Sequence, residues 1–187
     1  MRMTEENKRA QTRRIAEGAA AAFREGGFDA VNIDAVMARS GLTRGAFYAH
    51  FATKQALLET VARDCHPLLD KLRAREGEPM AGARRILRDY LDPAHLDAVR
   101  TGCTFAALSG DIARAPADVR SAFEAAWSEV LGELARGTDR APEDFAAPLA
   151  LATGAIGAAA ALESGAAQAT LLNGAWDALD AMLPPAT

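Results

Sequence analysis

The chain of 187 residues carries 21 Lys and Arg against 25 Asp and Glu, a formal net charge of -4, with 50% of residues hydrophobic and 25% charged. That balance excludes a disordered chain and a generally basic nucleic-acid coat protein, while leaving room for a local basic face. Alanine, the strongest helix former, fills 45 of the 187 positions, so the expected fold class is all-α.

The two cysteines, Cys65 and Cys103, form no CxxC pair, which argues against a disulfide scaffold or a zinc knuckle. Met1 to Glu6 lacks an apolar core after its charges, so no signal peptide is expected. Phe145 to Leu162 is an uncharged run of 18 residues, long enough for the crude test of a membrane span. Nine of the 18 are Ala and two are Gly, with Pro148 and Thr153 among them, so the expectation is a helix packed on all sides in a cytoplasmic protein with no membrane partner.

A first helix is expected from about Thr4 to Arg24, with Ile15, Ala19, Ala22 and Phe23 on one face and Gly26-Gly27 as its C-cap. Asn32 can cap a second helix, Ile33 to Ser40, and Gly41 supplies the positive φ of a tight turn. Thr43 is placed to cap a third helix, Arg44 to His50. A fourth starts after Thr53 and runs towards Arg75, broken by Gly77-Glu78-Pro79. Further helices are expected at roughly 80–97, 102–113, 117–136, 143–163 and 166–183, about nine in all.

Charge is unevenly distributed along these elements. Residues 1–60 hold nine basic side chains against seven acidic ones, whereas residues 61–187 hold 12 against 18. A polyanion would be met by the first third and repelled by the rest.

The informative stretch is VNIDAVMARSGLTRGAFYAHFATKQALL, Val31 to Leu58. A short helix, a Gly turn and a second short helix make a helix-turn-helix over about residues 31–50, which presents its second helix to the major groove. On a helical wheel Phe47 and Phe51 fall on one side, where Ile33, Val36 and Leu42 can join them in a small core. Arg44 and Tyr48 fall on the other, beside Gly45 and Ala49. Two long donors among minimal side chains can approach DNA closely. Arg44 can take guanine O6 and N7 in bidentate fashion, and Thr43, Tyr48 and His50 suit phosphate oxygens. Lys54, at the start of the fourth helix, adds a charge and backbone N–H groups towards the same strand. With the cap Asn32, the candidate DNA-binding set is Asn32, Thr43, Arg44, Gly45, Tyr48, His50 and Lys54. The same periodicity also fits a generic helical hairpin with a solvated face.

Residues 8–68 resemble the N-terminal DNA-binding domain of the tetracycline-repressor (TetR) family of bacterial transcription regulators. The resemblance is carried by Ala16, Phe23 to Phe28, Ile33, Val36, the run Ser40-Gly41-Leu42-Thr43-Arg44-Gly45-Ala46-Phe47-Tyr48-Ala49-His50-Phe51, then Lys54, Leu57 and Leu58. The Tyr-x-His-Phe-x-x-Lys segment followed by a Leu pair is far more specific than a generic helix-turn-helix. Asn32 and Met37 stand where the family commonly has Thr and Ala; Asn caps equally well, and Met can deform to fit.

The resemblance implies an all-α homodimer. Each subunit would carry a three-helix DNA-binding head at its N-terminus and an effector-binding and dimerisation domain over residues 69–187. The dimer would read a double-stranded palindromic operator and release it when a small-molecule effector binds. The sequence offers two stripes for the dimer contact: Leu149, Thr153, Ile156 and Ala160, then Leu172, Trp176 and Leu179, with Gly154, Gly157, Ala158 and Ala161 allowing close approach; the alternative is ordinary intrachain core, which takes part of each stripe. Candidate effector-pocket residues are Cys65, His66, Leu69, Tyr90, His95, Cys103, Phe105, Phe123 and Trp127. The segment Gly102 to Leu108 resembles one found in a TetR subgroup at the start of the sixth helix. Cys103, near a helix start, would have a depressed thiol pKa and the chemistry of an electrophile sensor, although buried cysteines are more often inert.

No GxSxG or Walker sequence is present, and His50, His66 and His95 lack metal-ligand spacing, so neither an enzyme nor a cofactor is expected. The alternatives are an effector-independent DNA-binding factor of the same fold and, further off, a small helical enzyme.

Overall fold

The computed structural model describes residues 4–93, 96 and 103–183, and every regular element among them is helical. His95 and Gly102, singled out above, lie outside the described residues. The helices are α1 (Glu5–Gly26), α2 (Ile33–Arg39), α3 (Arg44–Phe47), α4 (Lys54–Asp64), α5 (Pro67–Arg73), α6 (Pro79–Tyr90), α7 (Thr104–Ala113), α8 (Ala117–Ala135), α9 (Ala146–Ala160) and α10 (Gly165–Met182), with a 3-10 turn at Pro142–Phe145.

The chain forms two compact units. The first runs up to Cys65 and also takes in Leu108–Ala125; the second comprises His66–Ala107 and the chain from Ala126 onward. Residues 108–125 thus return to the N-terminal unit. That return rests on side chains far apart in sequence: Asp111 Oδ2 accepts from the Phe28 amide at 3.3 Å, and Asp118 Oδ2 accepts from Gln55 Nε2 at 2.9 Å.

In the first unit α1 packs against α2 and α4. Thr4 caps α1 by accepting from the Asn7 amide, and Gly27 at φ 78 ends it while its N–H returns to the Phe23 carbonyl at 2.8 Å. Ile15, Ala19 and Phe23 from α1, Val36 and Met37 from α2, Phe47 from α3, and Leu57, Leu58 and Val61 from α4 are all buried in one core. Burial of such a side chain contributes about 1.5–3 kcal/mol, so a helix as short as α3 is held by packing and not by its own hydrogen bonds. At Gly18 a Cβ would come within 2.5 Å of Ser40 Oγ, so α1 passes close to the end of α2 there. Arg39 forks onto both Glu25 carboxylate oxygens at 2.6 Å each, tying the ends of α1 and α2.

The expected long fourth helix is two helices. Pro67 has no N–H to offer the preceding turn and disfavours helical backbone at His66, which sits at φ -126 and ψ 86. The chain therefore breaks after Asp64 and restarts with Pro67 at the first position of α5.

In the second unit α5 packs on α6 and α9 on α10. Arginine side chains satisfy helix-end carbonyls here. Arg75 Nη1 donates to the Glu133 carbonyl at 2.6 Å, and Arg136 Nη2 donates to the Leu72 carbonyl at 3.0 Å, so each side chain caps the other's helix. Arg84 pairs with Asp180, and the Arg88 guanidinium lies 5.1 Å from the Trp176 ring centroid, joining α6 to α10.

The uncharged helix α9 is not packed on all sides. Leu149, Ala152, Thr153, Ile156 and Ala159 are buried, whereas Ala147, Ala150, Gly154, Ala158, Ala160 and Ala161 are exposed. Among the described residues no helix is long and apolar enough to cross a membrane.

Candidate nucleic-acid interface

The turn between α2 and α3 follows from local chemistry. Asn32 Oδ1 accepts from the Ala35 amide at 2.8 Å and starts α2, and Gly41 at φ 65 turns the chain where a side chain would be strained. Arg14 Nη2 would lie 2.6 Å from a Cβ added there. Thr43 occupies the N-cap position of α3 without a side-chain cap bond, contrary to the expectation that it caps. The α-helix ends at Phe47 and not at His50, because the last turn tightens: the His50 amide bonds to Phe47 O at 2.9 Å in the three-residue pattern.

Phe47 is fully buried and Phe51 nearly so, with ring centroids 5.8 Å apart. These rings fix which side of α3 faces out: Thr43, Arg44, Gly45, Tyr48 and Ala49 are exposed, with Tyr48 at 59%. The face has two long donors beside minimal side chains. Arg44 Nη1 donates to Asp34 Oδ2 of α2 at 2.6 Å, and the guanidinium pKa is raised first by that carboxylate's charge, with hydrogen bonds to Asp34 and Tyr48 adding to it. Asp34 was not among the sequence candidates. Its only signal was an acid in the first turn of α2, which a helix dipole already explains.

His50 is half-buried and tied to α1. The Thr12 hydroxyl donates to the Lys8 carbonyl at 2.9 Å, so at 2.8 Å it accepts from His50 Nδ1, which assigns the Nδ1–H tautomer and leaves the lone pair on Nε2. Burial lowers the His50 pKa, and the positive charge of Lys8 lowers it further. Sequence patterning offered no signal for this contact between residues 38 positions apart.

Lys54 does not extend its charge outward, which corrects the phosphate role expected for its side chain. Its Nζ donates to the Phe28 carbonyl and lies 4.2 Å from the Phe28 ring centroid and 5.9 Å from that of Phe23. Desolvation lowers its pKa, opposed by the charge of Asp29. The reason is that the chain leaving α1 carries bare carbonyls over an aromatic surface, and the ammonium satisfies both. What Lys54 offers an anion is the positive end of α4, whose N-cap Thr53 accepts from the Ala56 amide at 3.0 Å.

The pocket candidates divide. His66, Leu69, Tyr90, Cys103, Phe105 and Trp127 lie in the second unit, while Cys65 and Phe123 lie in the first. His66 stacks on Phe105 at 4.1 Å and 23°, and Phe105 meets Trp127 edge-on at 5.4 Å. Tyr90 donates its hydroxyl to Cys103 Sγ at 2.7 Å, and the Ala106 amide donates to the same sulfur at 3.4 Å. Burial pushes the Cys65 thiol up to about 12, which removes it as a nucleophile at neutral pH.

The dimer stripes need correction. Leu149, Thr153, Ile156, Leu172 and Leu179 are buried inside a single chain, Trp176 is half-buried, and only Ala160 of the expected contacts is exposed. Hydrophobicity alone selected the large residues, and those are what a chain's own core takes first. The face left open is the small-residue one: Ala147, Ala150, Gly154, Ala158 and Ala161 on α9, with Ala167, Gly174, Ala178 and Ala181 on α10.

Residues 12–61 match the family described as bacterial regulatory proteins, tetR family. An HTH-type transcriptional repressor of Mycobacterium tuberculosis is 32% identical over 76 residues, which is 41% of this chain and 41% of that protein, so the match spans less than half of the relative's length. Among solved structures, the reduced form of NemR from E. coli superposes with a TM-score of 0.75 at 17% identity, over 95% of this chain and 100% of that one. A TetR-family transcriptional regulator from Agrobacterium tumefaciens gives a TM-score of 0.67 at 18% identity, over 95% and 100% of the two chains. These likenesses establish the fold over nearly the whole chain.

Proposed function

We propose that this chain, whose residues 12–61 match the family described as bacterial regulatory proteins, tetR family, is a cytoplasmic transcriptional repressor of that family that binds operator DNA through α3. The observation that carries this reading is the exposed Arg44 on a four-residue helix, with the exposed Tyr48 at its C-cap, while the other side, at Phe47, is locked into the core. Such a rod can enter a major groove, where Arg44 reads a guanine edge and Tyr48 with Thr43 meets phosphate. The start of α4 adds a further phosphate contact, while His50, whose Nδ1–H goes to Thr12, has no donor left for one.

Two copies associate through the exposed small-residue face of α9 and α10 into a two-fold dimer that reads a palindrome with half-sites about 34–36 Å apart. That face supports the proposal because the residues α9 exposes to water are all Ala and Gly, and α10 adds the exposed Ala167, Gly174, Ala178 and Ala181. A small molecule entering the second unit near the His66, Phe105 and Trp127 rings would favour a conformation unsuited to the operator and so shift the population off DNA.

Purified wild-type protein used to enrich duplexes from a random pool is expected to return a palindromic sequence. Arg44→Ala should relax preference at one base position per half-site, a cost of about 1–3 kcal/mol per site. A pool that stays random, or an Arg44→Ala variant with unchanged preferences, overturns the assignment. Operator binding insensitive to every screened small molecule favours the effector-independent alternative.

A further inference from the structure

We propose that Asp34 is a specificity-determining residue of the DNA-reading face, acting as a positioning residue for Arg44 and as a repulsive charge against non-cognate duplex. The inference rests on reading this face as the DNA interface.

Three observations converge on it. Asp34 Oδ2 holds Arg44 Nη1 at 2.6 Å, and it does so from α2, so the restraint comes from outside the helix that carries the guanidinium. Both side chains are exposed, at 60% and 55%, so the pair contributes little to folding and is not a buried structural bridge. The pair sits on the same open face as the exposed Tyr48.

A guanidinium at the head of a four-residue helix has four torsions to order before it can meet a base edge. Asp34 orders them in advance. The guanidinium has five N–H donors, and a carboxylate that takes Nη1 leaves the remaining donors for guanine O6 and N7 in a fixed direction. The same carboxylate stands where a polyanion must approach, which weakens binding to every duplex. Only a sequence that presents its acceptor pair to the held guanidinium offsets that repulsion. Asp34 thus lowers non-specific affinity more than specific affinity, the pattern of discrimination by an unfavourable element.

The test uses the full chain and two variants, Asp34→Ala and Asp34→Glu. Each is used to enrich duplexes from a random pool, then titrated by fluorescence anisotropy against the enriched wild-type duplex and a scrambled duplex of equal composition. For Asp34→Ala the expected result is tighter binding to the scrambled duplex, a specificity ratio lower by about tenfold, and lost preference at one position per half-site, as for one read base pair. Asp34→Glu, which keeps the charge, should bind the scrambled duplex as weakly as wild type. A structural role alone would weaken both duplexes together and leave base preferences intact; that result overturns the inference. So does an Asp34→Ala variant with wild-type ratio and preferences, or an Asp34→Glu variant that grips the scrambled duplex as Asp34→Ala does. Failure of wild type itself to enrich any sequence overturns the DNA-binding reading instead.

Discussion

Lys54→Met separates two accounts of a lysine at the start of α4. Methionine keeps most of the apolar stem and removes the ammonium that meets the Phe28 carbonyl and ring. A hydrogen bond to a charged group contributes about 1.5–3 kcal/mol, and a cation over an aromatic face about 0.5–2 kcal/mol. Against these stands the desolvation that lowers the Lys54 pKa, a cost that methionine does not carry. The net expectation is a loss of about 1–2 kcal/mol, read as a fall of roughly 2–8 °C in Tm for a chain of this size. Thermal melts followed by circular dichroism measure that, and anisotropy titrations across a salt series measure the other arm. If the ammonium instead touched phosphate, the slope of log K against log salt would shrink by about 0.9 per subunit. Stability unchanged with a shallower slope would refute the inward placement of Lys54 and the reasoning built on it.

His50 predicts a pH dependence with a definite sign. Its folded pKa lies below the ordinary 6.5, so the folded chain binds that proton less tightly than the unfolded one. The stabilisation is complete above pH 6.5 and is lost as pH falls through the folded value. Urea midpoints should therefore drop on acidification from about pH 7 to about pH 5, and His50→Gln should remove part of that drop; parallel curves for the two proteins would contradict the placement. Gly154 has nothing within 4 Å of an added Cβ, so Gly154→Glu is tolerated within one chain and improves helix propensity. Light scattering should give the 19.7 kDa monomer with unchanged helicity and weakened operator binding. A Gly154→Glu dimer as stable as wild type would exclude the α9 face as the contact.

The two stripes on α9 and α10 show why hydrophobic pattern reaches only so far. Period and residue size placed Leu149, Ile156, Leu172 and Leu179 on one face of each helix, and they do share a face. Whether that face meets the chain's own core or a second copy is a question about the other helices. The same holds for Pro67, whose effect was written in the sequence but was outweighed by an unbroken apolar period on either side.

Local chemistry decided most of the reading head. Cap residues at Thr4, Asn32 and Thr53, positive φ at Gly27 and Gly41, and the spacing of Phe47 and Phe51 act within four residues of themselves, so adjacency in the chain suffices to foresee α1, α2, the start of α4 and the outward side of α3. The fate of individual charges was decided elsewhere. Lys54 turns to Phe28 across 26 positions, Arg44 to Asp34 across 10 and Thr12 to His50 across 38, distances over which no helical period operates. A long charged side chain takes whichever acceptor the packed backbone brings within reach, and only the assembled helices determine which one that is.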